Sequence, residues 1–239
     1  MTVDWFAGRV AETYDDDAEM FSAEVVEPAV DFLEPLAGGG ALELAIGTGR
    51  IAIPLAARGV RVAGIELSPD MLAQLRRKGS EIPVTLGDMA TTRLDDTFSL
   101  VYLVFNTINN LTTQEAQVAC FVNAAAHLAG GGRFVVEVGV PDLRRLPPGE
   151  RFVPFDVSAG HVGVDEYDTV TQALVSHHYT VDPGGVSQIS VPFRYVWPSE
   201  LDLMARIAGM ELEHRWGGWR HEPFAADSRR HVSVWRKPR

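Results

Sequence analysis

A chain of 239 residues can hold one domain with a sizeable core, or a core plus a small cap. Hydrophobic residues make up 46% and charged residues 22%, an ordinary balance for a soluble globular protein. The formal net charge of −11 excludes a protein whose main task is gripping nucleic acid, and the single cysteine, Cys120, excludes an intrachain disulfide and a cysteine-rich metal site.

The first residues, "MTVDWFAGRVAETYDDD", lack the charged-then-apolar layout of a signal peptide. No apolar run approaches the ~20 residues that a membrane helix needs. The cytoplasm is the expected compartment. Residues 1–39 read as an N-terminal helical segment, and residues 40–138 alternate strand and helix signals. "ALELA" (41–45) is a short apolar run that stops at glycines. "RIAIPLAARG" (50–59) follows as a helix, with Pro54 deep enough to predict an irregular start. "VRVAGIEL" (60–67) is a second strand. "SPDMLAQLRRKG" (68–79) is a helix capped by Ser68, with Pro69 in its first position and Gly79 as its stop. "IPVTLGD" (82–88) is a third strand ending in an acid, and "FSLVYLVF" (98–105) has the unbroken apolarity of a central parallel strand. Thr112 and Glu115 predict a capping box for the next helix, in which Cys120 reads as a small core residue. "GGG" (130–132) is expected to break that helix ahead of a fifth strand, "RFVVEV" (133–138). Five strands alternating with helices predict a doubly wound parallel sheet.

Residues 139–197 read as a β-rich cap insertion, with a hairpin of 171–181 and 186–197 about the turn "DPGG". A helix over 198–209 and two closing strands, 210–216 and 231–237, complete a single domain spanning 1–239. The connecting loop 217–230 is long enough to carry function. The basic residues Arg229, Arg230, Arg236, Lys237 and Arg239 read as a solvated face.

The chemistry concentrates in "LELAIGTGR" (42–50). A strand-to-glycine-to-helix turn brings backbone N–H groups close to a ligand, and several cofactors use it. Glu43 precedes the turn, where an acid is a liability beside a pyrophosphate and an asset beside a positive amino group or sulfonium. Glu66 ends the second strand and can accept both hydroxyls of a ribose; Asp88 ends the third and can take the exocyclic amine of an adenine. The ligand reads as adenine-bearing, ribose-bearing and cationic.

"ALELAIGTGR", "GIELSPDML" and "LGDM", followed by "FSLVYLVFNTINNL" and "HLAGGGRFVVEV", resemble the ordered motifs of the class I S-adenosylmethionine-dependent methyltransferases. The resemblance implies a Rossmann-like, seven-stranded, mostly parallel sheet with an antiparallel last strand, and S-adenosylmethionine as cofactor. It implies that Glu43, Ala45, Gly47 and Gly49 shape the site around the methionine portion and the ribose. Glu66 would hold the ribose hydroxyls, Leu67 and Met71 would pack near the adenine, and Asp88 and Met89 would meet its amine and ring. Phe105 and Asn106 would lie under the methionine portion, and Tyr14 or Arg50 would reach the cofactor carboxylate. Ala45 departs from the family's first loop glycine, a change that matters only if the position needs a positive φ.

Methyl transfer is an in-line displacement that depends on alignment and water exclusion, with a base needed only when the acceptor carries a proton. In "SHHYT", alternation sends His177 and His178 to opposite faces and puts Tyr179 beside His177; these are the candidate base residues. Asn109, Arg194, Trp219 and Phe224 are candidates for contacting the acceptor. The histidines show no convincing metal-ligand spacing, so no metal is expected. No "DPPY"-like run follows the fourth strand, which together with the acidic charge points to a small-molecule acceptor methylated on N, O or C. The competing readings are a non-catalytic S-adenosylmethionine-binding protein and a nicotinamide-dependent oxidoreductase.

Overall fold

The computed structural model describes residues 4–239. Two short N-terminal helices, α1 (Arg9–Thr13) and α2 (Ala23–Leu33), precede the first strand, β1 (Ala41–Leu44). The chain then runs through α3 (Ala52–Ala57), β2 (Val62–Glu66), α4 (Pro69–Arg77), β3 (Val84–Leu86), β4 (Phe98–Leu103), α5 (Gln114–His127) and β5 (Leu128–Gly139). Four strands follow, β6 (Phe152–Val157), β7 (His161–Tyr167), β8 (Ala173–Asp182) and β9 (Gly185–Arg194). The chain closes with α6 (Pro198–Ile207), β10 (Glu211–Trp216) and β11 (Arg230–Arg236).

The main sheet has the order β10-β11-β5-β4-β1-β2-β3. β1 pairs in parallel with β2 and β4, and β11 runs antiparallel to both β5 and β10. The chain winds outward in both directions from β1 and β4, so the crevice for a ligand opens at the C-terminal ends of these strands. β1 and β4 are covered on both faces, which explains why they are apolar except for Glu43 and Ser99. Leu42, Leu44, Val101 and Leu103 pack with α5 and α6, while Ala41, Leu100 and Tyr102 pack with α2 and α3. Cys120 lies inside the first of these clusters, and burial pushes its thiol far up.

β6–β9 form a separate antiparallel sheet in sequential order, the cap. Its β8–β9 hairpin pairs from Ala173↔Arg194 to Asp182↔Gly185, with the turn at the expected "DPGG".

Four local expectations give way. No helix joins β3 to β4; the connection is a turn in which Thr91 and Thr92 N–H groups donate to the Asp88 carbonyl, tied down by Asn123 through the Met89 and Thr92 carbonyls. The α5 cap is Thr113 rather than Thr112, its hydroxyl accepting from Ala116 N–H at 3.1 Å. The glycines 130–132 do not precede the fifth strand but lie inside β5, where the register against β4 shifts and Gly131 takes φ +83°. Lys237 is not part of a solvated face, because its ammonium donates to the Ala125 and Leu128 carbonyls at the C-terminal end of α5.

Candidate active site

The glycine turn after β1 contains three residues of left-handed backbone. Ala45, Gly47 and Gly49 all have positive φ, at 54°, 57° and 84°. Gly49 is obligatory on two grounds, since a Cβ there would also run into Leu75 and Ile53. Ala45 occupies the left-handed conformation that the sequence left open, at a cost of about 1–2 kcal/mol for a residue with a Cβ. Between Ala45 and Gly47, Ile46 N–H donates to the Ile65 carbonyl and carries the β1–β2 pairing into the turn.

Glu66 closes the turn. Its Oε2 accepts from Gly47 N–H at 2.7 Å and its Oε1 from Ser68 N–H at 2.8 Å. Burial raises its pKa, opposed by these two hydrogen bonds. The Gly47 amide is therefore aimed at a carboxylate and not at a phosphate. Glu43 lies 3% exposed on the sheet face toward α3. Its Oε2 accepts from the Tyr102 hydroxyl at 2.9 Å, the residue directly opposite it on β4. Burial pushes its pKa up to about 8, against the Tyr102 hydrogen bond and the charge of Arg50. Asp88 follows β3, with its Oδ1 accepting from Ala90 N–H at 2.8 Å.

These groups surround one cavity of about 940 Å³. Of the residues expected at the cofactor, Tyr14, Glu43, Ala45, Gly47, Arg50, Glu66, Leu67, Met71, Asp88, Met89 and Phe105 line it. Gly49 and Asn106 are not among the lining residues. Asn106 acts through the backbone: its Oδ1 accepts from Gly139 N–H at 2.6 Å, and its own N–H donates to the Glu137 carbonyl. Phe105 N–H donates to Glu137 Oε2 at 3.1 Å. These bonds hold Phe105 and Asn106 in consecutive left-handed conformations, φ 58° and 61°. The Arg50 guanidinium lies 4.4 Å from the centre of the Phe105 ring.

The wall also contains residues that the sequence did not single out. Thr107, Asn110 and Leu111 come from the 3-10 turn after β4 and the residue following it, and Asp4, Trp5 and Phe6 come from the N-terminal segment. That segment is latched over the opening. Gly8 N–H donates to Asp70 at 2.7 Å, the Thr48 hydroxyl donates to Asp15 at 2.7 Å, and Lys78 pairs with Asp15. Tyr14 packs edge-on against both Phe6 and Phe21, and burial raises its pKa. Tyr102 was legible in principle, because pairing β1 with β4 sets it opposite Glu43.

The residues expected to serve the acceptor do not line this cavity. His177 contacts Ser190 and Glu166 on one face of the cap, with Tyr179 on that same face. His178 is on the other face, 3.1 Å from the ring nitrogen of His161, which in turn contacts Asp156; burial lowers the His178 pKa. Arg194 is 5% exposed and committed to Gln117, Gln172 and Glu200, with which it ties the cap to α5 and α6. Asn109 sits in the 3-10 turn, between lining residues but not among them. Phe224 packs on His231 and under Arg215. Trp219 packs on Phe32 and walls a second cavity, which meets the first at Arg50, Val104 and Phe105. Among the described residues, no three His, Cys, Asp or Glu side chains converge as a metal site. No helix among them is long and apolar enough to cross a membrane.

The cavity carries four acids, Asp4, Glu43, Glu66 and Asp88, against one guanidinium, Arg50. It therefore favours a cationic ligand over a pyrophosphate. Residues 41–132 match the profile of a family described as a methyltransferase domain. A cypemycin N-terminal methyltransferase from Streptomyces sp is 30% identical over 84% of this chain and 84% of its own length. A dTDP-3-amino-3,4,6-trideoxy-alpha-D-glucopyranose N,N-dimethyltransferase from Streptomyces venezuelae is 31% identical over 74% of this chain and 77% of its own. The structure of the CcbJ methyltransferase from Streptomyces caelestis superposes with a TM-score of 0.85, at 34% identity over 98% of both chains.

Proposed function

We propose, for a chain that belongs to the class I S-adenosylmethionine-dependent methyltransferases, that the 940 Å³ cavity holds the methyl donor and that the acceptor is an amine nitrogen of a small natural-product molecule. The observation that carries this reading is the convergence of Glu43, Glu66 and Asp88 from three adjacent strands on a cavity whose glycine amide already serves a carboxylate. The relatives named for amino-sugar and N-terminal methylation support nitrogen over oxygen or carbon.

The residues divide the work by position. Glu66 retains lone pairs beyond its two backbone donors and would accept ribose hydroxyls. Asp88 and Met89, which line the cavity with Leu67 and Met71, would take the adenine. Glu43 offers a negative charge to the amino group and sulfonium, and Arg50 and Tyr14 offer donors to the carboxylate. When bound, the cofactor would offer an electrophilic methyl group to the amine lone pair, with the C–S electron pair left on sulfur and the amine proton released to solvent. The N-terminal latch excludes water from the cavity, and alignment of donor and acceptor contributes most of the rate. This activity belongs in the cytoplasm and requires no metal.

The test is transfer of a labelled methyl group from S-adenosylmethionine to a panel of amino sugars and peptides with free N-termini. Labelled secondary or tertiary amine products support the proposal. Tight cofactor binding with no turnover across the panel would favour a sensor instead.

A further inference from the structure

Tyr102 is sealed inside the apolar layer between the main sheet and the helices α2 and α3, in the company of Val30, Leu33, Ile51 and Val135. A hydroxyl in such a layer costs free energy unless it is hydrogen-bonded, and phenylalanine would fill the same space with no polar atom. The hydroxyl donates to Glu43 Oε2 at 2.9 Å. Strand register makes the pair, because Glu43 on β1 lies directly opposite Tyr102 on β4. Glu43 lines the first cavity and Tyr102 does not, so Tyr102 reaches a ligand there only through Glu43.

We propose that Tyr102 is a positioning residue for the methyl donor: its hydroxyl ties one oxygen of Glu43 to the sheet, leaves the rest of the carboxylate to the cavity, and sets the pH above which Glu43 is charged and the cation binds. The inference rests on the methyltransferase reading and adds what controls the charge of Glu43. Among the described residues, Glu43 also feels Arg50 from the glycine turn, Glu66 from β2, the Ala52 N–H from α3 and Tyr14 from the N-terminal segment. Arg50 is shared with the Phe105 ring, and Glu66 is engaged by the Gly47 and Ser68 amides. Tyr102 has the Glu43 carboxylate as its hydrogen-bond partner, and burial beside that charge pushes its own pKa well up, so it stays a donor. A donated O–H stabilises a carboxylate more than a carboxylic acid. Burial places the Glu43 pKa at about 8 even with this help, so at neutral pH the proton on Glu43 must leave to solvent as the cation enters. Without the hydroxyl, that step requires a higher pH.

The experiment is calorimetric titration of the full chain with S-adenosylmethionine and with S-adenosylhomocysteine from pH 6 to pH 9. It compares wild type, Tyr102→Phe, Glu43→Gln and the double variant. Ionisation of the ligand is common to all four, so differences between them report on the protein. Wild-type affinity is expected to rise with pH and to level off above about 8. Loss of one hydrogen bond to a charged group moves that midpoint up by about one pH unit. Tyr102→Phe is therefore expected to bind S-adenosylmethionine about tenfold more weakly at pH 7, narrowing to about twofold at pH 9. Added to Glu43→Gln, the same substitution is expected to change affinity by less than about twofold at every pH. Site-specific ring fluorination of Tyr102 keeps the hydroxyl and strengthens it as a donor, so the midpoint is expected to fall; this arm decides the matter if Tyr102→Phe does not fold. Four results overturn the proposal and leave the methyltransferase reading intact: an unchanged affinity in Tyr102→Phe, a loss of equal size at pH 7 and pH 9, a loss that persists in the Glu43→Gln background, or an unmoved midpoint on fluorination. Failure of wild type to bind either sulfur compound strikes that reading instead.

Discussion

Replacing Glu43 with glutamine separates stability from ligand binding. Glu43 is 3% exposed, and burial lifts its pKa from 4.5 to about 8. A carboxyl group with a raised native pKa binds its proton more tightly folded than unfolded. Its contribution to stability is therefore complete below the unfolded value of 4.5 and is lost as pH rises toward 8. At about 1.36 kcal/mol per pKa unit, the loss across that window reaches roughly 5 kcal/mol as an upper bound. Glutamine has nearly the same shape, keeps an oxygen for the Tyr102 hydroxyl and does not titrate. Thermal or urea unfolding of the ligand-free protein is measured for both forms from pH 5 to pH 8. The two are expected to be similar at pH 5, and Glu43→Gln is expected to become progressively more stable than wild type as pH rises. The same variant is expected to bind S-adenosylmethionine at least about tenfold more weakly, since the cation loses its counter-charge. Wild type is also expected to release protons on binding near neutral pH, visible as a binding enthalpy that changes with the buffer. Parallel unfolding profiles for the two forms across the whole pH range would refute the buried-carboxyl argument.

Ala45→Gly relieves a left-handed alanine, and its gain exceeds the entropy glycine adds to the unfolded chain; a stabilisation of up to about 1 kcal/mol, or a few degrees in Tm, is expected, and a lower Tm would show the position is not strained. Arg194→Met strands the half-buried Glu200, whose pKa burial raises but whose hydrogen bonds from Gln172, Arg194 and Gln114 hold it below its usual value; a loss of about 3–5 kcal/mol is expected with cofactor affinity intact. Unchanged stability with lost turnover would instead return Arg194 to the acceptor. His177→Ala is expected to leave turnover within about twofold, whereas a drop of 100-fold or more would restore it as a general base.

The lining of the first cavity was legible in outline because it depends on local order. Strand runs, glycine turns and strand-end acids recur in sequence at the spacing a doubly wound sheet requires, and that sheet brings Glu43, Glu66 and Asp88 to one crevice. What escaped depends on pairing and on distant contacts. Strand periodicity gives no hint that Phe105 and Asn106 turn left-handed, because the cause lies in Glu137 and Gly139 on another strand. The glycines 130–132 look like a helix stop, yet β5 absorbs them by shifting register against β4. Arg194 looks available in the sequence, but the fold surrounds it with partners 6 to 77 residues away. Trp5 and Phe6 reach the cavity only because α1 docks on α4. The second cavity was least legible, since it is assembled from α2, the loop after β10 and the ends of β5 and β11, which share no local motif; of its wall, the sequence singles out Trp219, Arg50 and Phe105.

The most direct test of the central claim is calorimetric titration of wild type and Glu66→Ala with S-adenosylmethionine, S-adenosylhomocysteine and NAD. Wild type is predicted to bind both sulfur compounds and not NAD, and Glu66→Ala to lose at least about tenfold in affinity for both as the ribose hydroxyls lose their acceptor. Binding of NAD in preference to either sulfur compound, or an unchanged affinity in Glu66→Ala, would contradict the account.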